Sequence, residues 1–335
     1  MSSTTKPLGW GIVGTGSISD TVVQQLMAVS GTVPVAVSSR SLEKAASFAA
    51  RHGVAAPYDS LAALLEDPAV EAVYIALPHS AHVAAVLQAL DAGKHVLCEK
   101  PMGMNAAEVE RIAQHPRAKD LVIGEGFMLR HQPQWRWIED TIRSGGLGQV
   151  RAVHAFTALT VPRGAPDPQR GTLPGDGSLL LDIGCYSVHQ MRTVFGSEPL
   201  EVSASMEFDA AGLDTMVSAT LRFAEGTGHL TIATTLKRGR RVHILGTRGS
   251  IEVLNPVHSP SGTARLRAAL AGDDGDPTEM QFPIDHQYGL QLEEFAQAVR
   301  LGRQPKVPLG NALGNARAID AIRASASNNG AWVRP

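Results

Sequence analysis

Two short stretches carry side chains that packing alone explains poorly. The first is Glu99-Lys100-Pro101, at the end of the apolar run 94–98. Pro101 stiffens the turn and biases Lys100 toward an extended backbone. An ammonium held there polarises a carbonyl. Once deprotonated it takes a proton from an alcohol, and burial or a neighbouring cation readily lowers a lysine pKa. The plainer alternative is a surface lysine in a strand-to-helix loop. The second stretch is Gly177-Ser178-Leu179-Leu180-Leu181-Asp182-Ile183-Gly184-Cys185-Tyr186-Ser187-Val188-His189. Asp182, Tyr186 and His189 stand at i, i+4 and i+7, one face of a helix. An acid, a phenol and an imidazole make a poor core stripe. They are either a solvated face or a reaction surface. In the second case Tyr186 exchanges a proton beside Lys100, and Asp182 orients the lysine or holds a substrate hydroxyl.

The elements that must position Lys100 begin with residues 8–19, Leu-Gly-Trp-Gly-Ile-Val-Gly-Thr-Gly-Ser-Ile-Ser. A buried strand over 10–13 runs into Gly14 and Gly16, and Ile18, Val22, Val23 and Leu26 recur at helical spacing. Ser19 stands where a G-x-G-x-x-G/A pattern has its third small residue. Strand, glycine turn and helix together present free N–H groups and a dipole end to a pyrophosphate. Gly14, Thr15, Gly16, Ser17 and Ile18 are therefore the expected phosphate contacts; an ordinary glycine-rich turn is the alternative. The next strand, 33–38, ends in Ser38-Ser39-Arg40-Ser41, where an acid ~20 residues on would accept from a ribose hydroxyl. No acid stands there. Ser39 and Arg40 donate, and a guanidinium pairs with a 2′-phosphate, so NADP is expected over NAD.

Strands are expected at 70–77, 94–98 and 121–124, with helices at 42–51, 61–65, 81–92 and 105–115 between them. This alternation predicts an α/β Rossmann domain with a doubly wound parallel sheet over residues 1–126. Ligands of such sheets sit at the carboxyl ends of strands. Leu77, His79, His82, Glu99 and Lys100 follow those ends and are expected near the dinucleotide. For the two histidines, capping or core packing is the competing reading. Residues 127–335 change texture. Helices are expected at 133–144, 179–195, 288–301 and 309–325, and strands at 150–159, 199–208, 215–223, 228–235, 240–246 and 250–254. Their apolar/polar alternation predicts an α+β domain with an open, mostly antiparallel sheet. Residues 162–177 and 259–277 read as loops.

The 335 residues fit about two domains on a prior of ~150 each. A formal net charge of −2, with no outstanding basic run, argues against a nucleic-acid or membrane partner. No apolar run approaches the ~20 residues of a membrane span. Residues 1–7 lack a signal peptide's apolar core, and Cys98 and Cys185 are too few for a disulfide framework, so the cytoplasm is expected. The histidines lack metal-ligand spacing, and no metal is expected.

Glu99-Lys100-Pro101, Gly14-Thr15-Gly16 and Asp182-Ile183-Gly184 together resemble the Gfo/Idh/MocA oxidoreductase family over nearly the whole chain. The resemblance implies hydride transfer between NAD(P) and a sugar, polyol or diol. It makes Lys100 the catalytic lysine and Asp182 a substrate-site acid, and implies a homodimer or homotetramer built through the C-terminal sheet. Tyr186 replaces the histidine of the inositol dehydrogenases. With Ser39-Arg40 this is similar to the NADP-dependent branch of xylose 1-dehydrogenase, dihydrodiol dehydrogenase and glucose–fructose oxidoreductase, where the tyrosine is the acid/base. The expected activity is NADP-dependent oxidation of an aldose at C1. A trans-dihydrodiol is the alternative substrate, and a non-catalytic NADP sensor the alternative of another class.

Overall fold

Short apolar runs separated by capped helices build the first half. Strand β1 (Leu8–Val13) is buried at every position. It leads through the glycine turn into α1 (Ser17–Leu26), which buries Ser19, Val22, Val23 and Leu26 on one face. Strand β2 (Thr32–Ser38) and α2 (Leu42–His52) follow, with Ser41 capping α2 by accepting from the Lys44 N–H. Next come β3 (Ala56–Tyr58), α3 (Leu61–Glu66) and β4 (Ala72–Ile75). Helix α4 (His82–Asp91), β5 (His95–Glu99), α5 (Ala106–Ala113) and β6 (Ile123–Gly126) complete the series. The computed structural model describes residues 6–159, 178–259, 261–273, 275–284 and 286–335.

The six strands form a parallel sheet in the order β3-β2-β1-β4-β5-β6. This is the doubly wound order expected. The order in which successive strands are added reverses between β1 and β4, and ligands of such sheets bind in the crevice outside the carboxyl ends at that point.

In the second half, α6 (Pro133–Arg143) precedes β7 (Val150–Ala158). Leu180–Gly184 winds as a π-helix and continues as α7 (Cys185–Phe195). Strands β8 (Glu201–Phe208), β9 (Asp214–Arg222), β10 (Thr227–Ala233), β11 (Gly239–Gly246), β12 (Ser250–Val253), β13 (Thr263–Ala269) and β14 (Thr278–Pro283) follow. The chain ends with α8 (Gln287–Leu301) and α9 (Leu309–Ser327). The eight strands order as β14-β13-β12-β11-β7-β10-β9-β8. Only the β7–β10 pair is parallel. The mostly antiparallel sheet is thus as expected.

Four elements differ from the expectation. The stretch 259–277, read as a loop, contains β13, and β3 and β14 were not anticipated. The loop expected at 162–177 lies outside the described residues. The chain divides into two compact units, one of Met1–Arg130 with His286–Leu313, the other of His131–Asp285 with Gly314–Pro335. The expectation had put α8 with the second half. It joins the first unit because Phe295 packs on Trp10, ring centroids 5.4 Å apart, both fully buried. No helix among the described residues is long and apolar enough to cross a membrane.

Candidate active site

In the first unit the glycine turn has two glycines with different reasons to be glycine. Gly14 has φ +104°, and a Cβ there would lie 2.4 Å from the Ala76 carbonyl oxygen. The turn therefore cannot carry a side chain at this position. Gly16 has an ordinary φ of −79°, and a Cβ there would meet no protein atom within 4 Å. The space over Gly16 is open, and no side chain caps the first N–H groups of α1. An exposed glycine before uncapped helical N–H groups is the surface a pyrophosphate requires. Thr15 and Ile18 are half-buried, and Ser17 is exposed at the same turn. Ser19 is fully buried, as a small residue must be where α1 approaches the sheet.

At the end of β2, Ser39 donates its N–H to the Tyr58 carbonyl at 3.1 Å. Arg40 is exposed and forms no ion pair among the described residues. After β4, Leu77 and His79 are half-buried. His82 is fully buried. Its Nδ1 lies 2.8 Å from the Pro101 carbonyl oxygen and its Nε2 2.8 Å from that of Leu77. The ring thus ties the loop after β4 to the turn that carries Lys100.

That turn is built on a buried acid. Glu99 is 9% exposed. It accepts from the Tyr74 hydroxyl on Oε1 and from the Lys100 N–H on Oε2 at 3.3 Å. Gly126 on β6 leaves room for it, since a Cβ there would stand 3.1 Å from Oε1. Glu125 accepts from the Met102 N–H at 2.9 Å on the far side of the turn. Lys100 follows as a half-buried residue, and its bond to Pro101 is cis. Tyr288 of α8 also belongs to this neighbourhood. Burial first, then the negative charge of Glu99, pushes its phenol above the ordinary range, and Lys100 opposes that rise. Sequence spacing could not have shown Tyr288, which lies far along the chain from Lys100.

In the second unit the Asp182–Tyr186 segment is held at its start and against the sheet. Asp214, buried at the start of β9, accepts from the Leu179 N–H at 2.9 Å and the Leu180 N–H at 2.7 Å. A carboxylate at a helix N-terminus satisfies orphan donors and complements the dipole. Gly184 lets the turn lie on β10, because a Cβ there would stand 2.7 Å from Ile232 Cδ1. Asp182 is half-buried and Tyr186 is 8% exposed. His189 is fully buried, so the stripe is not a solvated face. The π-helical winding is of the kind often found at functional sites.

Arg240 of β11 is the residue of this unit that the charge balance of the whole chain concealed. It belongs to Lys237-Arg238-Gly239-Arg240-Arg241, four bases in five positions, which the expectation of no outstanding basic run passed over. Burial and Arg238 work against its ionisation, and Tyr186 and Asp182 favour it. No cluster of three or more His, Cys, Asp or Glu among the described residues is arranged to hold a metal.

Residues 8–127 match the model of an oxidoreductase family with an NAD-binding Rossmann fold, and residues 135–252 match the GFO/IDH/MocA C-terminal domain. The chain is 36% identical to human trans-1,2-dihydrobenzene-1,2-diol dehydrogenase over 76% of each chain. It is 31% identical to D-xylose 1-dehydrogenase (NADP(+)) 2 of Haloferax volcanii, over 96% of this chain and 98% of that protein. It is 26% identical to the aldose-aldose oxidoreductase of Caulobacter crescentus, solved with glycerol, at a TM-score of 0.88 over 98% of this chain and all of that one. With both characteristic domains present and whole-length relatives of this similarity, the chain belongs to the Gfo/Idh/MocA family of oxidoreductases.

Proposed function

We propose that the protein is an NADP-dependent dehydrogenase that oxidises a sugar hydroxyl, with the C1 of an aldose as the preferred position. The observation that carries this reading is the pairing, in one unit, of an open glycine turn with a lysine set on a buried glutamate. Gly14, Thr15, Gly16, Ser17 and Ile18 would hold the pyrophosphate, and Ser39 and Arg40 the adenosine ribose with its 2′-phosphate. Leu77, His79, Glu99 and Lys100 would line the nicotinamide end, with His82 acting through the carbonyls it ties. The dinucleotide, when bound, supplies the hydride acceptor.

Lys100 and Tyr186 then manage the proton of the substrate hydroxyl. Lys100 polarises the oxygen, and Tyr186, in its phenolate form, takes the proton as the C–H bond breaks and the hydride leaves. Asp182 orients the sugar by accepting from a second hydroxyl. The burial of Tyr186 weakens competition from water for its proton transfer. A trans-dihydrodiol is the second substrate reading, favoured by the 36% identity to the human diol dehydrogenase. A sensor that only binds NADP is disfavoured by the retention of Lys100, Asp182 and Tyr186 together. The reading includes a cytoplasmic protein that assembles as a homodimer or homotetramer through the eight-stranded sheet, which light scattering would check.

A panel of aldoses, polyols and dihydrodiols, followed by nicotinamide absorbance with NADP and with NAD, tests the proposal. Turnover of an aldose with NADP preferred is the expected result. Cofactor binding without turnover of any member would leave the sensor reading instead.

A further inference from the structure

Alternation along β11 puts Arg240 on the same face as Val242 and Ile244, both buried, while Arg241 and His243 turn the other way. Arg240 stands opposite Thr157 on β7, and Thr157 stands opposite Ile232 on β10. Ile232 is the residue over which Gly184 lies. The turn from Asp182 to Tyr186 therefore covers the same sheet face, two strands from Arg240. Two strand spacings are roughly 10 Å, most of which an extended arginine spans. The guanidinium is half-buried and donates to no acceptor among the described residues. Burial and Arg238 disfavour its charge, and Tyr186 and Asp182 favour it. Arg240 thus lies within the field of a second guanidinium, that of Arg238, as well as of the Asp182 carboxylate.

We infer that Arg240, with Arg238 beside it, is an oxyanion subsite adjoining Asp182 and Tyr186, and that the substrate is a sugar bearing a carboxylate or a phosphate. This rests on the proposed dehydrogenase reading, in which Asp182 and Tyr186 meet the substrate. A guanidinium presents a planar fork that matches both oxyanions with two parallel hydrogen bonds. A neutral sugar leaves a partly desolvated donor set unanswered, so the site discriminates against it.

The test uses the full chain, wild type and the variants Arg240→Gln and Arg240→Lys, with glucose, glucuronate and glucose 6-phosphate as probes. Two quantities are measured: calorimetric affinity for each probe with NADP present, and NADP-dependent kcat/KM. The wild type is expected to favour at least one anion over glucose, the carboxylate and phosphate arms showing which. Arg240→Gln should lower the anion-to-neutral ratio about tenfold or more, and Arg240→Lys by less, since charge is kept and the fork lost. The lysine variant serves as the test if the glutamine variant fails to fold. An unchanged ratio in both variants, or no anion binding to the wild type, overturns the subsite whatever the turnover. Anion binding that depends on Arg240 without turnover upholds the subsite and removes the dehydrogenase reading. Turnover of glucose without anion preference does the reverse.

Discussion

Replacing Gly16 by alanine separates a binding role from a folding role. The new methyl meets no protein atom within 4 Å, and φ is −79°, which alanine adopts freely. Two small effects on stability oppose each other. Loss of a glycine from the unfolded chain stabilises by about 0.4–1 kcal/mol. Alanine at the N-cap of α1 costs roughly as much. The net change is therefore near zero. The same methyl fills the space through which a pyrophosphate must approach the α1 N–H groups. A loss of 10- to 100-fold in NADPH affinity, about 1.4–2.8 kcal/mol, is expected. Gly14→Ala is the contrasting variant. Its Cβ would stand 2.4 Å from the Ala76 carbonyl oxygen at φ +104°. Left-handed backbone alone costs roughly 1–2 kcal/mol, and the clash adds to it. Nucleotide fluorescence titration and thermal unfolding of both variants make the comparison. Wild-type NADPH affinity in Gly16→Ala would refute the assignment of the phosphates to this turn, and full stability in Gly14→Ala would refute its steric account.

Three further outcomes follow from local structure. Arg40→Ala should weaken NADPH about tenfold while altering NADH little, because the contact proposed for the exposed guanidinium is to the extra phosphate; equal losses for both would contradict that role. Burial holds His95 below the usual histidine range against the opposing charge of Glu71, and its Nδ1 accepts from the Val122 N–H at 3.0 Å. Below about pH 6.5 the unfolded chain then binds a proton that the folded chain resists, so stability falls as pH drops. His95→Gln should flatten that acid limb in denaturant titrations, and an unchanged slope would contradict the assignment. Burial pushes the Cys98 thiol well above its ordinary range, with Glu99 and Glu125 adding to the rise. It should resist alkylation at neutral pH until the protein unfolds; stoichiometric labelling of the native chain would exclude this.

The first unit was legible because its signals are local. Glycines, capping serines and short apolar runs each specify an element, and the order of those elements specifies the sheet. Lys100 and Tyr186 stood out because their residue types clash with a packing explanation. What stayed hidden was weakly patterned or distant in sequence. Strand β13 buries Ala264, Leu266 and Ala268 between exposed or half-buried polar residues, and alanines give a faint apolar period. Strand β14 is an edge strand with no buried position, and Met280 and Phe282 are all that alternate in it. Strand β3 is three residues long and contains Pro57. Tyr288 and Arg240 join their neighbours only through tertiary packing, which no spacing rule anticipates. His82 was marked for its place after a strand, but its two carbonyl partners come from separate loops.

The proposed reaction is tested most directly by comparing wild type with Lys100→Met and Tyr186→Phe in steady-state oxidation of a reactive aldose by NADP. Each variant should lose about 10²- to 10⁴-fold in kcat, the usual worth of positioned proton transfer. NADPH affinity should stay within about threefold of wild type, because the lost interaction is made in the transition state. Turnover by either variant at the wild-type rate would contradict the assignment of that residue to the proton transfer.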